Sequence, residues 1–296
     1  MTSEITLFVN PTAGRGRGAH AAQPAASALR AAGFSVRTVL GENAEDALTR
    51  ARGAVAEGTG ALIAVGGDGM ANLALQAVAG TRTPLGLVAA GTGNDFARAL
   101  GLPVRDPAAA GRVIAEALKS GRLRDVDLGR VGGTWFGTVL ASGFDSRVND
   151  RGNRMRWPTG RFKYDLAMLA ELAAFKPVPY RITLDDGEAR EIEATLVAVG
   201  NGPSYGGGMK ICADADLGDG LFDVTVVGYC SRRTLLKVFP RVYRGTHLDH
   251  PEVSVYRAAR VGLVADGVTG YADGEPLGPL PLTAECVRGA VRVAIA

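Results

Sequence analysis

A chain of 296 residues with 47% hydrophobic and 21% charged residues can bury a full core, and its composition excludes a largely disordered chain. Lys and Arg outnumber Asp and Glu by only 33 to 30, too small a surplus to make nucleic acid the default partner. The N-terminus runs from Met1-Thr2-Ser3-Glu4 straight into a strand-like segment, without the serial regions of a signal peptide, and every apolar run is broken before the ~20 residues a spanning helix needs.

The first 128 residues alternate short apolar runs with Ala-rich helical stretches, the pattern of a parallel sheet covered by helices. Strands are predicted at Ile5–Asn10, Phe34–Leu40, Ala61–Val65 and Leu85–Ala89, with helices over 19–32, 44–57, 70–79, 95–100 and 107–120. From about Asp127 the chain turns to strands punctuated by Gly132-Gly133, Asp185-Asp186-Gly187, Asp219-Gly220, Asp266-Gly267 and Asp273-Gly274. Two helices, near Lys163–Phe175 and Ser231–Tyr243, interrupt this half. The fold class is therefore α/β plus β: a three-layer α/β lobe over residues 1–127 and an antiparallel β-sandwich lobe over 128–296. Cys212, Cys230 and Cys286 are odd in number and lack metal spacing, so they are read as core thiols of a cytoplasmic protein.

Three loops fall where a strand's carboxyl end meets a helix's amino end, the place where open α/β sheets bind ligands. They are Asn10-Pro11-Thr12-Ala13-Gly14, Gly66-Gly67-Asp68-Gly69 and Gly91-Thr92-Gly93-Asn94-Asp95. Glycine lets backbone N–H groups approach a phosphate closely. No G-x-x-x-x-G-K-[ST] occurs, which excludes a Walker-type NTPase. Gly14-Arg15-Gly16-Arg17-Gly18 has the wrong spacing for a dinucleotide fingerprint, and no acid ends the second strand. A carboxylate at Asp68 would repel phosphate unless Mg²⁺ or a ribose hydroxyl lay between them; otherwise it caps the helix beginning near Met70.

At these residues the chain resembles the diacylglycerol kinase catalytic family, which includes bacterial lipid kinases and sphingosine kinases. The resemblance rests on Val9-Asn10-Pro11, Val65-Gly66-Gly67-Asp68-Gly69, Gly91 to Arg98, Asp127-Leu128-Gly129, Gly206-Gly207-Gly208-Met209, Asp219 to Asp223 and Asp273-Gly274-Glu275, in the family's order. It implies an ATP-dependent lipid kinase that moves the γ-phosphoryl group onto a hydroxyl of diacylglycerol or a related lipid. The nucleotide would lie on Asn10, Pro11, Thr12, Ala13, Gly14, Gly66, Gly67, Asp68, Gly69, Met70, Asn72, Gly91, Thr92 and Asn94, with Asp68 and Asp127 organising a catalytic Mg²⁺ and its waters. Asp273 would be the general base with Glu275 beside it, and Asp219 with the carbonyls of Asp216 and Leu221 would hold a structural Mg²⁺. Read without the resemblance, Asp219-Gly220 and Asp273-Gly274 are hairpin turns.

The chain departs from the family pattern at Met70 and Leu73, where a threonine and a glutamate are usual, and at Gly41 in place of a threonine. Two competing functions follow: a NAD kinase-like enzyme, which shares the Gly-Gly-Asp-Gly loop, and a nucleotide- or lipid-binding protein with weak turnover. Gly206-Gly207-Gly208 and the late Asp-Gly-Glu favour the lipid branch, and intact Asp273 favours turnover.

Arg151, Arg154, Arg156, Arg161 and Lys163 are interleaved with Met155, Trp157 and Phe162, and the segment Ser231 to Arg244 repeats the theme. Such segments suit either an anionic membrane surface or a solvated face over the core. The expected partner is a lipid substrate met at the membrane surface by a peripherally associated, cytoplasmic enzyme; no nucleic acid is expected, and a homodimer is left open.

Overall fold

The computed structural model describes residues 4–9, 13–143 and 177–295. Asn10, Pro11, Thr12, the basic segment Arg151 to Lys163 and the helix expected over Lys163–Phe175 lie outside the described residues.

Runs of Val, Ile, Leu and Ala form β1 (Glu4–Val9), β2 (Ser35–Leu40), β3 (Leu62–Gly66) and β4 (Leu85–Ala89). β1, β3 and β4 are buried almost continuously, as parallel strands covered on both faces must be. β1 pairs in parallel with β2 and β3, and β3 with β4, giving the order β2-β1-β3-β4. Helices α1 (Ala13–Ala31), α2 (Ala44–Ala56) and α3 (Asp68–Val78) make the crossovers, followed by α4 (Asp95–Ala99) and α5 (Pro107–Ser120).

Alternate strand residues feed two cores. Phe8, Leu62 and Leu87 pack under α2 and α3, while Leu7, Ile63 and Val88 pack under α1 and α5. α1 begins six residues earlier than residue 19, running through three glycines that propensity alone would disfavour by about 1 kcal/mol each. Farther along, α1 crosses α5 at Gly111, where a Cβ would stand 2.9 Å from the Ala25 carbonyl.

The second half supplies β5 (Leu123–Val131), β6 (Thr134–Phe136), β7 (Val139–Gly143), β8 (Val178–Leu184), β9 (Arg190–Gly200), β10 (Phe222–Gly228), α6 (Arg232–Val242), β11 (Val253–Ala258), β12 (Arg260–Val264), β13 (Thr269–Ala272), β14 (Glu275–Pro279) and β15 (Leu282–Ala294). Pairing within this half is antiparallel. Along β7 and β9 the pleat divides residues between two layers. Leu140, Val197 and Val199 enter the sandwich core, and Val139, Ala141, Leu196 and Ala198 enter a second core with Tyr205, Ile211 and Val242. The helix expected over Ser231–Tyr243 is α6, capped by Ser231.

β15 joins the halves. Leu282 to Glu285 pair with β12 in the sandwich, while Val293 pairs in parallel with Leu85 of β4, and Ala290, Val291 and Val293 lie in the α/β lobe's core. β5 runs through residues 127 and 128 and pairs with β15, so the two lobes share a hydrogen-bonded ladder rather than meeting at one linker.

Candidate active site

The β3–α3 and β4–α4 loops touch through glycine. A Cβ on Gly91 would stand 2.4 Å from the Gly67 Cα, so a side chain there would push the loops apart. Asn94 adopts the left-handed conformation (φ 58°) and braces its loop, accepting from the Gly91 N–H (2.9 Å) and donating to the Gly91 carbonyl (3.1 Å). A narrow recess of about 10 Å³ lies between the loops, lined by Gly66, Gly67, Asp68, Ala71, Leu87 and Asn94.

Asp68 is the first residue of α3, not a loop residue, and it does not cap its own helix. Its two carboxylate oxygens accept the N–H groups of Asn94 and Asp95, each at 2.7 Å, which fixes the second glycine loop against the first. Burial pushes the Asp68 carboxyl above the usual carboxylate range; repulsion from Asp95 and, more weakly, Asp273 adds to this, against the two N–H groups. Asp95, 4% exposed, is also pushed up by burial. Its carboxylate accepts from the Gly207 N–H (2.7 Å) and the Ser204 hydroxyl (3.3 Å), so it ties α4 to the sandwich lobe. Gly93 lies over both acids: a Cβ there would stand 2.5 Å from Asp68 Oδ2.

Asp273 sits in the β13–β14 turn with φ 51°. Its Oδ1 accepts from the Thr138 N–H (2.9 Å) and hydroxyl (2.5 Å); its Oδ2 accepts from the Gly137 N–H (2.7 Å) and, at 3.4 Å, from the Asn72 amide. Asn72 belongs to α3, as does Gln76, which exchanges two hydrogen bonds with the Trp135 main chain at 2.7 and 2.9 Å. Asp68, Asn72 and Gln76 follow one another at i, i+4 and i+8, so a single helix face presents the phosphate-loop acid, the contact to Asp273 and the anchor to β6. Asn72, expected among the nucleotide contacts, is thus placed beside the expected base. Met70, two residues from Asp68, points the other way, buried in the core with Leu75 and Leu87; its side chain is not presented to the recess. Glu275 Oε1 lies 3.8 Å from where a Gly69 Cβ would be, at the mouth of the same helix. At Gly41, a Cβ would be 2.4 Å from the Ala47 Cα; β2 and α2 approach too closely there for the threonine usual in the family.

Asp127 is not brought to this cluster. Its carboxylate accepts from the Gly220 N–H (2.6 Å) and the Gly289 N–H (2.7 Å), closing the turn before β10 onto the bulge in β15. Of the acceptors expected to hold a structural metal, the Asp219 carboxylate faces a cation already. Arg257 pairs with the Asp219 carboxylate and, at 3.1 Å, with Asp223; Arg288 donates to the Asp219 carbonyl (3.0 Å); and Arg124 lies 3.5 Å from Asp216. Leu221 contributes its N–H to Asp219 Oδ1 at 2.9 Å. The Asp219 carboxylate, the charged member of the expected Asp216, Asp219 and Leu221 set, is thus already balanced by Arg257 and as placed does not fit a bound Mg²⁺. Among the described residues no group of three or more Asp, Glu, His or Cys is arranged to hold a metal ion. Around Asp68 the balance is reversed: Asp95 and Asp273 repel its charge, so a cation arriving with a nucleotide would relieve that repulsion.

Ala13 and Gly14 open α1 directly after the β1 edge. Sequence reasoning assigned no role to Asp95, Thr138, Ser204, Gln76 or Asn201. The Asn201 amide donates to the carbonyls of Asp127 and Gly137 at 2.8 Å each, bridging β5 to the bend between β6 and β7 that carries the Gly137 and Thr138 donors to Asp273. For Asp95 a signal existed, since it is a second acid in a glycine loop; for Gln76 the helical spacing from Asp68 was the clue.

The family model of the diacylglycerol kinase catalytic domain matches residues 4–131, and that of the YegS C-terminal NAD kinase beta sandwich-like domain matches 138–295. A diacylglycerol kinase of Mycobacterium tuberculosis is 44% identical over 295 residues, covering 98% of this chain and 94% of that protein. One of Bacillus subtilis is 29% identical, covering 93% and 90%. The crystal structure of a diacylglycerol kinase from Bacillus anthracis superposes with a TM-score of 0.76 at 23% identity, over 99% of this chain and 97% of that one. An NAD kinase from Archaeoglobus fulgidus in complex with ATP shares the fold at a TM-score of 0.55 and 12% identity, over 99% and 93%.

Proposed function

The chain belongs to the diacylglycerol kinase family and is a kinase acting on a lipid hydroxyl, and from that premise we propose how its residues divide the work. ATP lays its phosphates along Gly66–Gly69 and Gly91–Asn94, where the two loops abut and the Asn94 side chain braces the Gly91 loop. Asp273 takes the proton of the acceptor hydroxyl as its oxygen bonds to the γ-phosphorus and the bond to the leaving ADP oxygen breaks. The observation that carries this reading is the convergence of Asp68, Asp95 and Asp273, from α3, α4 and the β13–β14 turn: Asp68 accepts the Asp95 N–H at 2.7 Å, and Asn72, one turn along α3 from Asp68, donates to Asp273 at 3.4 Å.

Three of the four donors to Asp273 lie at 2.5–2.9 Å and hold it in place, while the Asn72 contact is long at 3.4 Å. The Asn72 side of Oδ2 is thus where a substrate hydroxyl would replace a weak bond at little cost. Asp68 would hold Mg²⁺ carried in by the nucleotide, and the ion would supply charge neutralisation on the phosphates. Gln76 and Asn72 keep the nucleotide helix and the base in one register, which matters because alignment is most of what phosphoryl transfer requires of a protein.

The reading is tested by incubating the protein with γ-labelled ATP, Mg²⁺ and a panel of diacylglycerol, monoacylglycerol, ceramide, sphingosine and NAD. Label in a lipid supports it. Label in NAD alone would move the enzyme to the soluble-substrate branch, and label in none would reduce it to a binding protein.

A further inference from the structure

Asp273 is held by a bend rather than by a strand. Its main-chain donors, the N–H groups of Gly137 (2.7 Å) and Thr138 (2.9 Å), belong to the two residues between β6 and β7 and lie outside the ladders of both strands. The Asp273 N–H in turn donates to the Val139 carbonyl at 3.2 Å, so residues 137–139 meet both the side chain and the main chain of Asp273. Whatever fixes this bend fixes the carboxylate.

Asn201, fully buried and directly following β9, makes the attachment. Its amide has two N–H groups, and the carbonyls of Gly137 and Asp127 accept one each at 2.8 Å. Two acceptors on one side settle the amide's orientation, and its oxygen faces the Cys286 thiol at 3.8 Å. The main-chain N–H groups of Asn201 and Gly202 both donate to the Thr138 carbonyl, at 2.8 and 2.9 Å, so both carbonyls of the bend are tied to this corner. The other side is closed by packing: a Cβ on Gly137 would stand 2.9 Å from the Phe96 ring and 3.1 Å from Leu75, which bars the bend from sliding toward α4 or α3.

The peptide between Gly137 and Thr138 carries the effect onward. In a trans peptide the C=O and N–H point opposite ways across one rigid plane. Here the C=O accepts from Asn201 and the N–H donates to Asp273. Orienting the first orients the second, and the two hydrogen bonds polarise each other across the plane.

We propose that Asn201 is a positioning residue for phosphoryl transfer, which acts through the Gly137–Thr138 bend to hold the Asp273 carboxylate where the acceptor hydroxyl arrives. This rests on Asp273 being the base, and the test separates the two claims. Asn201→Ala, Asp273→Asn and the double variant are assayed for kcat and KM on a monomeric short-chain diacylglycerol, with Tm and ATP Kd measured for each.

Asn201→Ala should lower kcat ~10- to 100-fold, the scale on which a small misplacement of a reacting group acts, with ATP Kd and lipid KM within about twofold of wild type. A residue that only shaped the site in general would lower kcat by the same factor whatever stands at position 273. Acting through the base, the same substitution in the Asp273→Asn background should change kcat by less than about threefold. Asn201→Asp keeps the volume and, with its buried carboxyl protonated, one of the two donors. It opens no cavity and should lose several-fold in kcat, which keeps the question answerable if the alanine variant does not fold. Unchanged kcat in a folded Asn201 variant, or an equal loss in both backgrounds, overturns the proposal and leaves Asp273 as the base. Wild-type turnover in Asp273→Asn removes the base itself, and the proposal with it.

Discussion

Replacing Asp273 by Asn separates proton transfer from the architecture that holds the base. The backbone tolerates the change, because Asn is among the residues that adopt φ near 51° readily. The hydrogen bonds do not survive intact. An Asn oxygen facing Thr138 can accept its N–H and hydroxyl, but the amide NH₂ then meets the Gly137 N–H and the Asn72 amide, donor against donor. Losing the Gly137 bond to a charged acceptor should cost about 1.5–3 kcal/mol of stability, which lowers Tm by several degrees. Loss of the proton acceptor should cost more in the barrier: ~10²–10⁴ in kcat, or ~2.7–5.5 kcal/mol.

The assay is steady-state phosphorylation of a monomeric diacylglycerol, run well below the variant's melting point, with ATP affinity measured separately by calorimetry. The expected outcome is a kcat lowered by at least ~10²-fold with ATP Kd nearly unchanged, because Asp273 touches neither glycine loop. A variant that folds, binds ATP and turns over within a few-fold of wild type refutes Asp273 as the base and moves the role to Glu275. Loss of ATP binding together with turnover would show instead that the cross-lobe contacts of Asp273 were the residue's main contribution.

Gly91→Ala should weaken ATP binding by about tenfold or more, since its Cβ would collide with the Gly67 backbone, which has no rotamer by which to yield; an unchanged ATP Kd would remove the phosphates from this loop. In the nucleotide-free protein EDTA should leave Tm unchanged while Arg257→Met lowers it, because guanidinium groups hold the Asp219 turn; an EDTA-induced drop reversed by Mg²⁺ would restore the structural metal. His247 is fully buried, its Nδ1 lacks a hydrogen-bond partner, and burial holds its pKa below the ordinary value near 6.5. Its stabilising contribution is therefore complete above pH 6.5 and is lost as pH falls toward the folded pKa. Asp68, Asp95 and Asp223, whose carboxyls are raised by burial, act in the opposite direction, so the comparison is with His247→Gln: the loss in urea midpoint between pH 7.5 and 5.5 should be smaller in that variant, and an equal loss would refute the assignment.

In the first half of the chain the amino-acid sequence by itself determined which segments become strands and helices and where the Gly66 and Gly91 loops fall. β3 and β4 are written as unbroken apolar runs and β1 as one interrupted only by Thr6, and Gly66-Gly67-Asp68-Gly69 announces a close backbone approach at a strand's end. The same local reading stopped short at the amino end of α1, where the helix runs through three glycines that disfavour it. Only the tertiary structure decided what each acid does. Asp68 braces another loop, Asp95 joins the lobes, Asp127 closes a turn onto β15, and Asp219 faces Arg257 where a metal was expected. The partners explain why. Asn72 and Asp273 are 201 residues apart in the chain, and Asp127 and Gly289 are 162 apart. A carboxylate's role is set by which donors and charges surround it. No spacing rule reaches across such distances, so that information exists only once the chain has folded.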